Sequence, residues 1–137
     1  MATTAAVQLT DSAKDILSKR TFGHLTTLMP DGSPQVTPVW VDYEGDDVVI
    51  NTAEGRAKPR NMRDDPRVAL SATDPDNPYE AVIIRGQVVE MTHDGADEHI
   101  DAMAKKYLGR DRYPFRQAGE QRVKIRIQPE SVKGANE

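Results

Sequence analysis

Six short segments rich in β-branched and apolar residues run through this chain of 137 residues, and turn or helical segments separate them. They cover residues 22–29, 34–43, 48–53, 67–73, 80–92 and 122–128. Pro30-Asp31-Gly32 and Glu44-Gly45-Asp46-Asp47 have the composition of tight turns and predict antiparallel hairpins. Because short strands leave unpaired edges, we expect the sheet to close into a small antiparallel barrel.

Helical segments lie between these strands and complete a mainly β fold of the α+β type. We predict helices over residues 9–20 and 94–108, and a basic helical turn that begins near residue 56. Pro38 inside a predicted strand indicates a sheet edge or a bulge, and Gly86 indicates a bulge or sharp bend. We expect one domain over residues 9–132, preceded by a flexible tail over residues 1–8.

The composition excludes several classes of protein. There is no cysteine, so disulfides, thiolate metal sites and cysteine nucleophiles are absent. The net charge of −4 and pI near 5.4 argue against a nucleic-acid binder. No apolar run has the length of a membrane span, and the N-terminus does not resemble a signal peptide. We therefore expect a cytoplasmic protein with no membrane partner; its mean hydropathy of −0.65 hints at burial completed by oligomerisation.

A cluster of basic residues follows the third predicted strand directly. The small polar turn of residues 51–55 precedes Arg56, Lys58 and Arg60. A helix start with free N–H groups, combined with guanidinium and ammonium groups, is typical of a phosphate-binding site. The same pattern also fits a solvated helix face with local ion pairs and, less well, a nucleic-acid surface.

No other motif predicts catalysis by the side chains themselves. His93 and His99 are six residues apart, which does not suit a helical metal pair, and we assign no metal. His24 is interpreted as a structural residue, and no nucleophile has the neighbours of a catalytic triad. Trp40 and Tyr113 are more often packing residues than site residues at such positions. We therefore assign no catalytic residue.

Several short motifs together resemble the pyridoxamine-phosphate-oxidase-like split β-barrel proteins, and more narrowly their flavin/deazaflavin oxidoreductases of the B group. The similarity extends from about residue 22 to residue 132. The motifs that carry it are Phe22-Gly23-His24-Leu25-Thr26-Thr27-Leu28, Pro30-Asp31-Gly32-Ser33-Pro34, Thr37-Pro38-Val39-Trp40-Val41-Asp42, Gly55-Arg56-Ala57-Lys58-Pro59-Arg60-Asn61, Asp65-Pro66-Arg67-Val68-Ala69 and Lys106-Tyr107-Leu108-Gly109.

This resemblance implies a six-stranded antiparallel split β-barrel that forms a homodimer, with cofactor clefts between the two barrels. The cofactor would be the deazaflavin coenzyme F420, with FMN as the alternative. Its phosphate would contact Arg56 and Lys58, with Asn61 and Arg60 nearby. The other residues implied at the cofactor are Gln35, Val36, Thr37, Pro38, Val39, Trp40, Asn51 and Thr52, with Pro78 and Tyr79 reaching across the dimer.

The implied function is transfer of a hydride from reduced F420 to an unsaturated small-molecule acceptor. An FMN-dependent oxidoreductase and a non-catalytic protein that binds a flavin-like or haem-like ligand are the alternatives. Such cofactors carry the reactivity in their ring, so the protein needs only to bind, orient and shield it. The acidic tail of F420 would need further cations, for which the candidates are Lys19, Arg20, Arg110, Arg112 and Arg116.

Overall fold

The computed structural model describes residues 5–134, which form one antiparallel sheet and three helices. The elements are α1 (Asp11–Ser18), β1 (Phe22–Leu28), β2 (Pro34–Trp40), β3 (Asp42–Glu44), β4 (Asp47–Ala53), α2 (Ala57–Asp64), β5 (Arg67–Asp74), β6 (Asn77–Thr92), α3 (Ala96–Leu108) and β7 (Arg122–Gly134). The predicted mainly β class with helices is confirmed. Residues 1–4 of the predicted tail lie outside the described residues, while the Val7 N–H donates to the Pro129 carbonyl.

The sheet contains seven strands in the order β2-β1-β5-β6-β7-β4-β3. Every adjacent pair is antiparallel, and β2 and β3 are the two edge strands. Pro38 lies in β2, so the predicted edge position is confirmed. The sheet has seven strands and not the predicted six, because the predicted strand over residues 34–43 divides at Val41. Its first part is β2, which pairs with β1, and its second part is β3, which pairs with β4.

The division at Val41 is held by residues near the end of α3. The Lys106 ammonium donates to the carbonyls of Leu17 and Val41 at 2.6 and 2.7 Å. The Tyr107 hydroxyl accepts from the Val41 N–H at 3.0 Å and donates to the Thr21 carbonyl at 2.5 Å. These bonds satisfy the backbone N–H and carbonyl groups where the chain leaves one edge of the sheet for the other. Burial raises the pKa of the Tyr107 hydroxyl to about 12.

Gly86 lies at a register shift in the pairing of β6 with β7, so the bulge predicted there is confirmed. A Cβ atom at this position would overlap the carbonyl of Gln128. The absence of a side chain therefore permits the close approach of the two strands.

The core lies between the curved sheet and the helices. Ala13, Ile16 and Leu17 of α1 are buried, and the Thr10 side chain caps this helix by accepting from the Ala13 N–H. α3 buries Ile100 and Met103 and ends at its C-cap residue Gly109, which has positive φ. Within residues 5–134, no helix is long and apolar enough to cross a membrane.

Candidate functional site

A cleft of about 230 Å³ opens where the edge strand β2, the end of β4, the start of α2 and α3 meet. A long connection between α3 and β7, residues 110–121, covers one side of it. The lining residues are Phe22, Pro38, Val39, Trp40, Asn51, Thr52, Arg56, Lys58, Ile100, Met103, Tyr113, Phe115 and Arg122. Three of them, Arg56, Lys58 and Arg122, are called the cleft cations below.

Two of the cleft cations lie at the start of α2. Arg56 occupies the N-cap position and Lys58 the first turn, and no side chain caps the free N–H groups there. Lys58 is half-buried, and the carboxylates of residues 5–134 form no salt bridge with it. Burial and then the charge of Arg56 lower the pKa of Lys58 below its ordinary value. Lys58 therefore contributes positive charge to this end of the cleft without a paired carboxylate in residues 5–134.

The third cleft cation, Arg122, begins β7 and is almost fully buried. Its Nε donates to Asn51 Oδ1 at 2.9 Å, and its Nη1 donates to Glu120 Oε1 at 2.8 Å. The guanidinium carbon lies 5.0 Å from the centre of the Tyr113 ring. Glu120 Oε1 also lies 3.8 Å from Arg56 Nη2, so a single carboxylate faces two guanidinium groups.

Asn51 connects Arg122 to His99 of α3. Because Asn51 Oδ1 accepts from Arg122, its amide nitrogen donates to the Ala96 carbonyl and to His99 Nδ1, at 2.9 and 3.0 Å. His99 is therefore neutral with its proton on Nε2. Burial, with a smaller effect of Lys124, lowers the pKa of His99 to about 4. The neutral ring keeps its tautomer, and through Asn51 it fixes the direction of Arg122.

An array of aromatic rings forms the apolar wall of the cleft. Trp40 stacks on Tyr107 at 5.1 Å between ring centres, and Tyr113 meets Trp40 edge-on at 6.0 Å. Phe115 continues the array from Tyr113 at 5.7 Å, and Phe22 meets Tyr107 at 6.2 Å. The chain has seven aromatic residues (Phe, Tyr and Trp), and five of them are in this array. A flat ring would find both stacking partners and an apolar surface here.

The structure brings about half of the predicted cofactor residues into the cleft. Those that line it are Pro38, Val39, Trp40, Asn51, Thr52, Arg56 and Lys58. Those that do not line it are Gln35, Val36, Thr37, Arg60, Asn61, Pro78 and Tyr79.

Three of the predicted residues that lie outside the cleft are Asn61, Gln35 and Tyr79. Asn61 is fully buried, and its amide nitrogen donates to Thr27 Oγ1 at 3.1 Å and lies 3.3 Å from Gln35 Oε1. It thus joins α2 to the first hairpin. Tyr79 is exposed near the start of β6, and its predicted reach toward a partner chain stays a prediction.

Five residues that line the cleft were not predicted from the sequence as site residues, and a sixth, Tyr113, was interpreted as a packing residue. The five are Phe22, Ile100, Met103, Phe115 and Arg122. A signal for part of this set was the sequence Tyr113-Pro114-Phe115, because two aromatic residues are unusual in a charged loop of an aromatic-poor chain. Within residues 5–134, no group of three or more side chains has the arrangement of a metal site.

Comparison with known proteins identifies the family. A model of the pyridoxamine 5'-phosphate oxidase family matches residues 9–136, and the chain belongs to this family of flavin-binding oxidoreductases. The predicted split β-barrel fold is thereby confirmed, but the predictions of six strands and of a closed sheet were wrong: the described sheet has seven strands and stays open between β2 and β3.

Solved structures with the same fold include proteins with different described roles. One described as an F420 reductase is 29% identical, with a TM-score of 0.79, over 91% of this chain and 98% of that chain. One described as a putative pyridoxamine 5'-phosphate oxidase from Listeria innocua is 20% identical, with a TM-score of 0.69, over 90% of this chain and 94% of that chain.

A third is described as a FAD-binding protein from Mesorhizobium loti. It is 21% identical, with a TM-score of 0.66, over 92% of this chain and 94% of that chain. The likeness to the last two shows the shared fold.

The cleft fits a cofactor that has a phosphate group and a flat ring. Lys58 supplies a half-buried cation with no carboxylate partner in residues 5–134, which is the complement of a phosphate. The hydroxyl of Thr52, which lines the cleft, is buried without a hydrogen-bond partner. The aromatic array supplies the apolar surface that a ring needs.

Proposed function

We propose that this protein transfers a hydride from reduced coenzyme F420 to an unsaturated small-molecule acceptor. The observation that carries the proposal is the excess positive charge of Arg56 and Lys58, with Lys58 unpaired in residues 5–134, at one end of a cleft whose wall is aromatic. Membership of a flavin-binding family supports a redox cofactor, and the similarity to a protein described as an F420 reductase favours the deazaflavin. FMN is the alternative cofactor.

In this proposal the chain binds, orients and shields the cofactor. Arg56 and Lys58 hold the phosphate, and the free N–H groups at the start of α2 add to the positive potential. Pro38, Val39 and Trp40 lie along the ring, and the outer edge of β2 offers unpaired backbone groups to the ring carbonyls. When bound, F420 supplies the hydride, and no side chain is assigned as a proton donor.

We further propose that the working unit is a homodimer formed through the outer face of β2, β1, β5 and β6. Directly paired residues share a face, so Pro38, His24, Ser71 and Ile83 form one row across these strands. Val36 begins the adjacent row and is 61% exposed, while Ile83 is 44% exposed. Pro38 belongs both to this face and to the cleft, so a partner seated here would border the cofactor.

Fluorescence titration of the purified protein with F420 and, separately, with FMN tests the cofactor. We expect F420 to bind at micromolar concentration or below, and more tightly than FMN. Reversal of that order would assign the protein to the FMN-dependent alternative. The absence of binding by both would remove the proposal.

Turnover is tested by mixing the protein and reduced F420 anaerobically with a panel of quinones, conjugated ketones and a bilin. Recovery of the absorbance of oxidised F420, at a rate that depends on acceptor concentration, is the expected result. Stoichiometric binding with no oxidation by any acceptor would favour the non-catalytic alternative.

The dimer is tested with Ile83→Glu, which places a charge in the middle of the proposed interface. We expect sedimentation to show a dimer for the wild type and a monomer for the variant, with weaker F420 binding in the monomer. Glu90→Gln, on an exposed part of β6 beyond this row, serves as the matched control. A monomeric wild type that binds F420 fully would contradict the shared cleft.

A further inference from the structure

Arg122 is a buried cation that the packing of the protein alone does not explain. Its side chain is 3% exposed, and its only anionic contact in residues 5–134 is Glu120. Burial of a guanidinium group carries a large desolvation cost unless its hydrogen bonds are satisfied. Glu120 provides incomplete compensation, because the same oxygen also lies near Arg56.

The hydrogen bonds of Arg122 leave one side of its guanidinium group available. Nε and Nη1 donate to Asn51 and Glu120, whereas Nη2 has no acceptor within residues 5–134. Arg122 lines the cleft, so this N–H group without an acceptor lies at the space that a ligand would occupy. The planar group therefore presents a free N–H edge to a ligand.

The direction of that edge is determined by its neighbours. Asn51 is oriented by its bonds to Ala96 and His99, and the Tyr113 ring lies on the guanidinium face. A guanidinium group fixed on several sides loses little conformational entropy when it binds an oxyanion. This is the arrangement of a preorganised binding group rather than of a mobile surface arginine.

We propose that Arg122 is a third cation of the phosphate-binding site, and that the ligand phosphate competes with the Glu120 carboxylate for Arg122. The inference rests on the proposed function for the identity of the ligand, but the binding of a phosphate oxyanion can be tested by itself. Arg56, Lys58 and Arg122 provide three positive charges and Glu120 one negative charge, so the site retains an excess of positive charge. A bound phosphate would supply the missing anion.

The first experiment compares ligands with and without the phosphate. The dissociation constants of riboflavin and FMN are measured for the wild type, Arg122→Gln and Glu120→Gln, and 8-hydroxy-5-deazariboflavin is compared in the same way with its 5'-phosphate. The affinity gained from the phosphate should fall about tenfold in Arg122→Gln, the scale of one charged hydrogen bond. It should rise several-fold in Glu120→Gln, which loses the competing charge but keeps an acceptor for Arg122.

The two variants change the charge of the site in opposite directions, so a merely structural role is distinguishable. If Arg122 only stabilised the fold, both the phosphate-containing and the phosphate-free ligand would lose affinity equally. An unchanged ratio of the two affinities in Arg122→Gln would overturn the proposal, and so would a fall in phosphate affinity in Glu120→Gln.

A second experiment remains decisive if the wild type binds no flavin and the proposed function fails. The melting temperature of each variant is measured in inorganic phosphate and in chloride at matched ionic strength. We expect phosphate to raise the melting temperature of the wild type, to raise it less in Arg122→Gln and to raise it more in Glu120→Gln. No phosphate-specific rise in the wild type, or an equal rise in Arg122→Gln, would overturn the assignment.

Discussion

The cations of this protein occur in two contrasting settings. On the strands β3, β4, β6 and β7, Arg126 contacts Glu44 at 2.7 Å, Asp47 at 3.4 Å and Glu90 at 3.6 Å, and Lys124 contacts Glu44 at 2.8 Å. These five residues form the paired cluster, in which three carboxylates face two cations. In the cleft, by contrast, Arg56 and Arg122 share the single carboxylate of Glu120, and Lys58 has no salt bridge in residues 5–134.

The contrast separates charges that support the fold from charges that support binding. In the paired cluster, the hydrogen bonds that Arg126 donates to Glu44 and then to Asp47 raise the pKa of Arg126, so folding favours its charged form. In the cleft, burial and Arg56 lower the pKa of Lys58, so folding disfavours its charged form. A protein keeps such an unfavourable charge where a ligand supplies the counter-charge.

Removal of a cleft cation should have the largest effect on binding. We expect Lys58→Ala to weaken F420 or FMN binding by about 1.5–3 kcal/mol, or roughly 10- to 150-fold, because a charged hydrogen bond to phosphate is lost. The unliganded variant should be at least as stable as the wild type, since a disfavoured buried charge is removed. Fluorescence titration and thermal unfolding measure the two quantities.

Arg126→Gln in the paired cluster is the matched control for Lys58→Ala. It removes one positive charge of the same protein away from the cleft, and we expect it to leave ligand binding unchanged and to lower stability slightly. Equal effects of the two variants on binding would mean that net charge, and not the position of the cation, governs affinity.

The sequence predicted the features that depend on the local pattern of residues. Alternating apolar residues and turn residues predicted the strands, and the spacing of Arg56 and Lys58 after a strand indicated a phosphate-binding site. Arg122 could not be assigned in this way, because it reaches the cleft through the pairing of Ala53 with Arg122 across β4 and β7. That contact joins residues far apart in the chain.

The division of the predicted second strand had a similar cause. Val41 leaves the sheet edge because Lys106 and Tyr107, on a helix more than sixty residues away, bind its backbone. Asn61 shows a different limit. Its position one turn after Lys58 suits either the cleft or the core, and only packing decides that it joins α2 to Thr27 and Gln35.

An intermediate effect should appear in the pH dependence of binding. Because the pKa of Lys58 lies below its ordinary value of 10.5, affinity for FMN should fall at a lower alkaline pH than an exposed lysine would allow. A bound phosphate raises this pKa again, so binding in the intervening pH range is coupled to proton uptake. The decrease should be smaller than in Lys58→Ala, because the neutral amine still donates a hydrogen bond.

Calorimetric titration in buffers of different ionisation enthalpy measures that proton uptake. Lys58→Arg is the control, since a guanidinium keeps its charge across the whole range. The variant should bind FMN with no proton uptake and no alkaline decrease. Proton uptake that persists in Lys58→Arg would assign the titration to another group.

The smallest effect is expected within the paired cluster, where Glu44→Gln removes a carboxylate that Lys124 and Arg126 share. Hydrogen bonds from Lys124 and then Arg126 hold the pKa of Glu44 below its ordinary value of 4.5. A lowered carboxylate pKa contributes stability that is present above the ordinary value and is lost as the pH falls through the lowered one. Glu44 is an exposed residue, so solvent screening limits the loss in the variant to less than about 1 kcal/mol.

Urea unfolding of the wild type and Glu44→Gln at pH 7 and at acid pH measures this difference, which should shrink as the pH falls and also in high salt. Affinity for F420 or FMN should not change. A loss of stability well above 2 kcal/mol, or weaker binding, would show that the paired cluster and the cleft cations act as one electrostatic unit. A small loss with unchanged binding would mean that the paired cluster maintains the strands and the cleft cations receive the ligand.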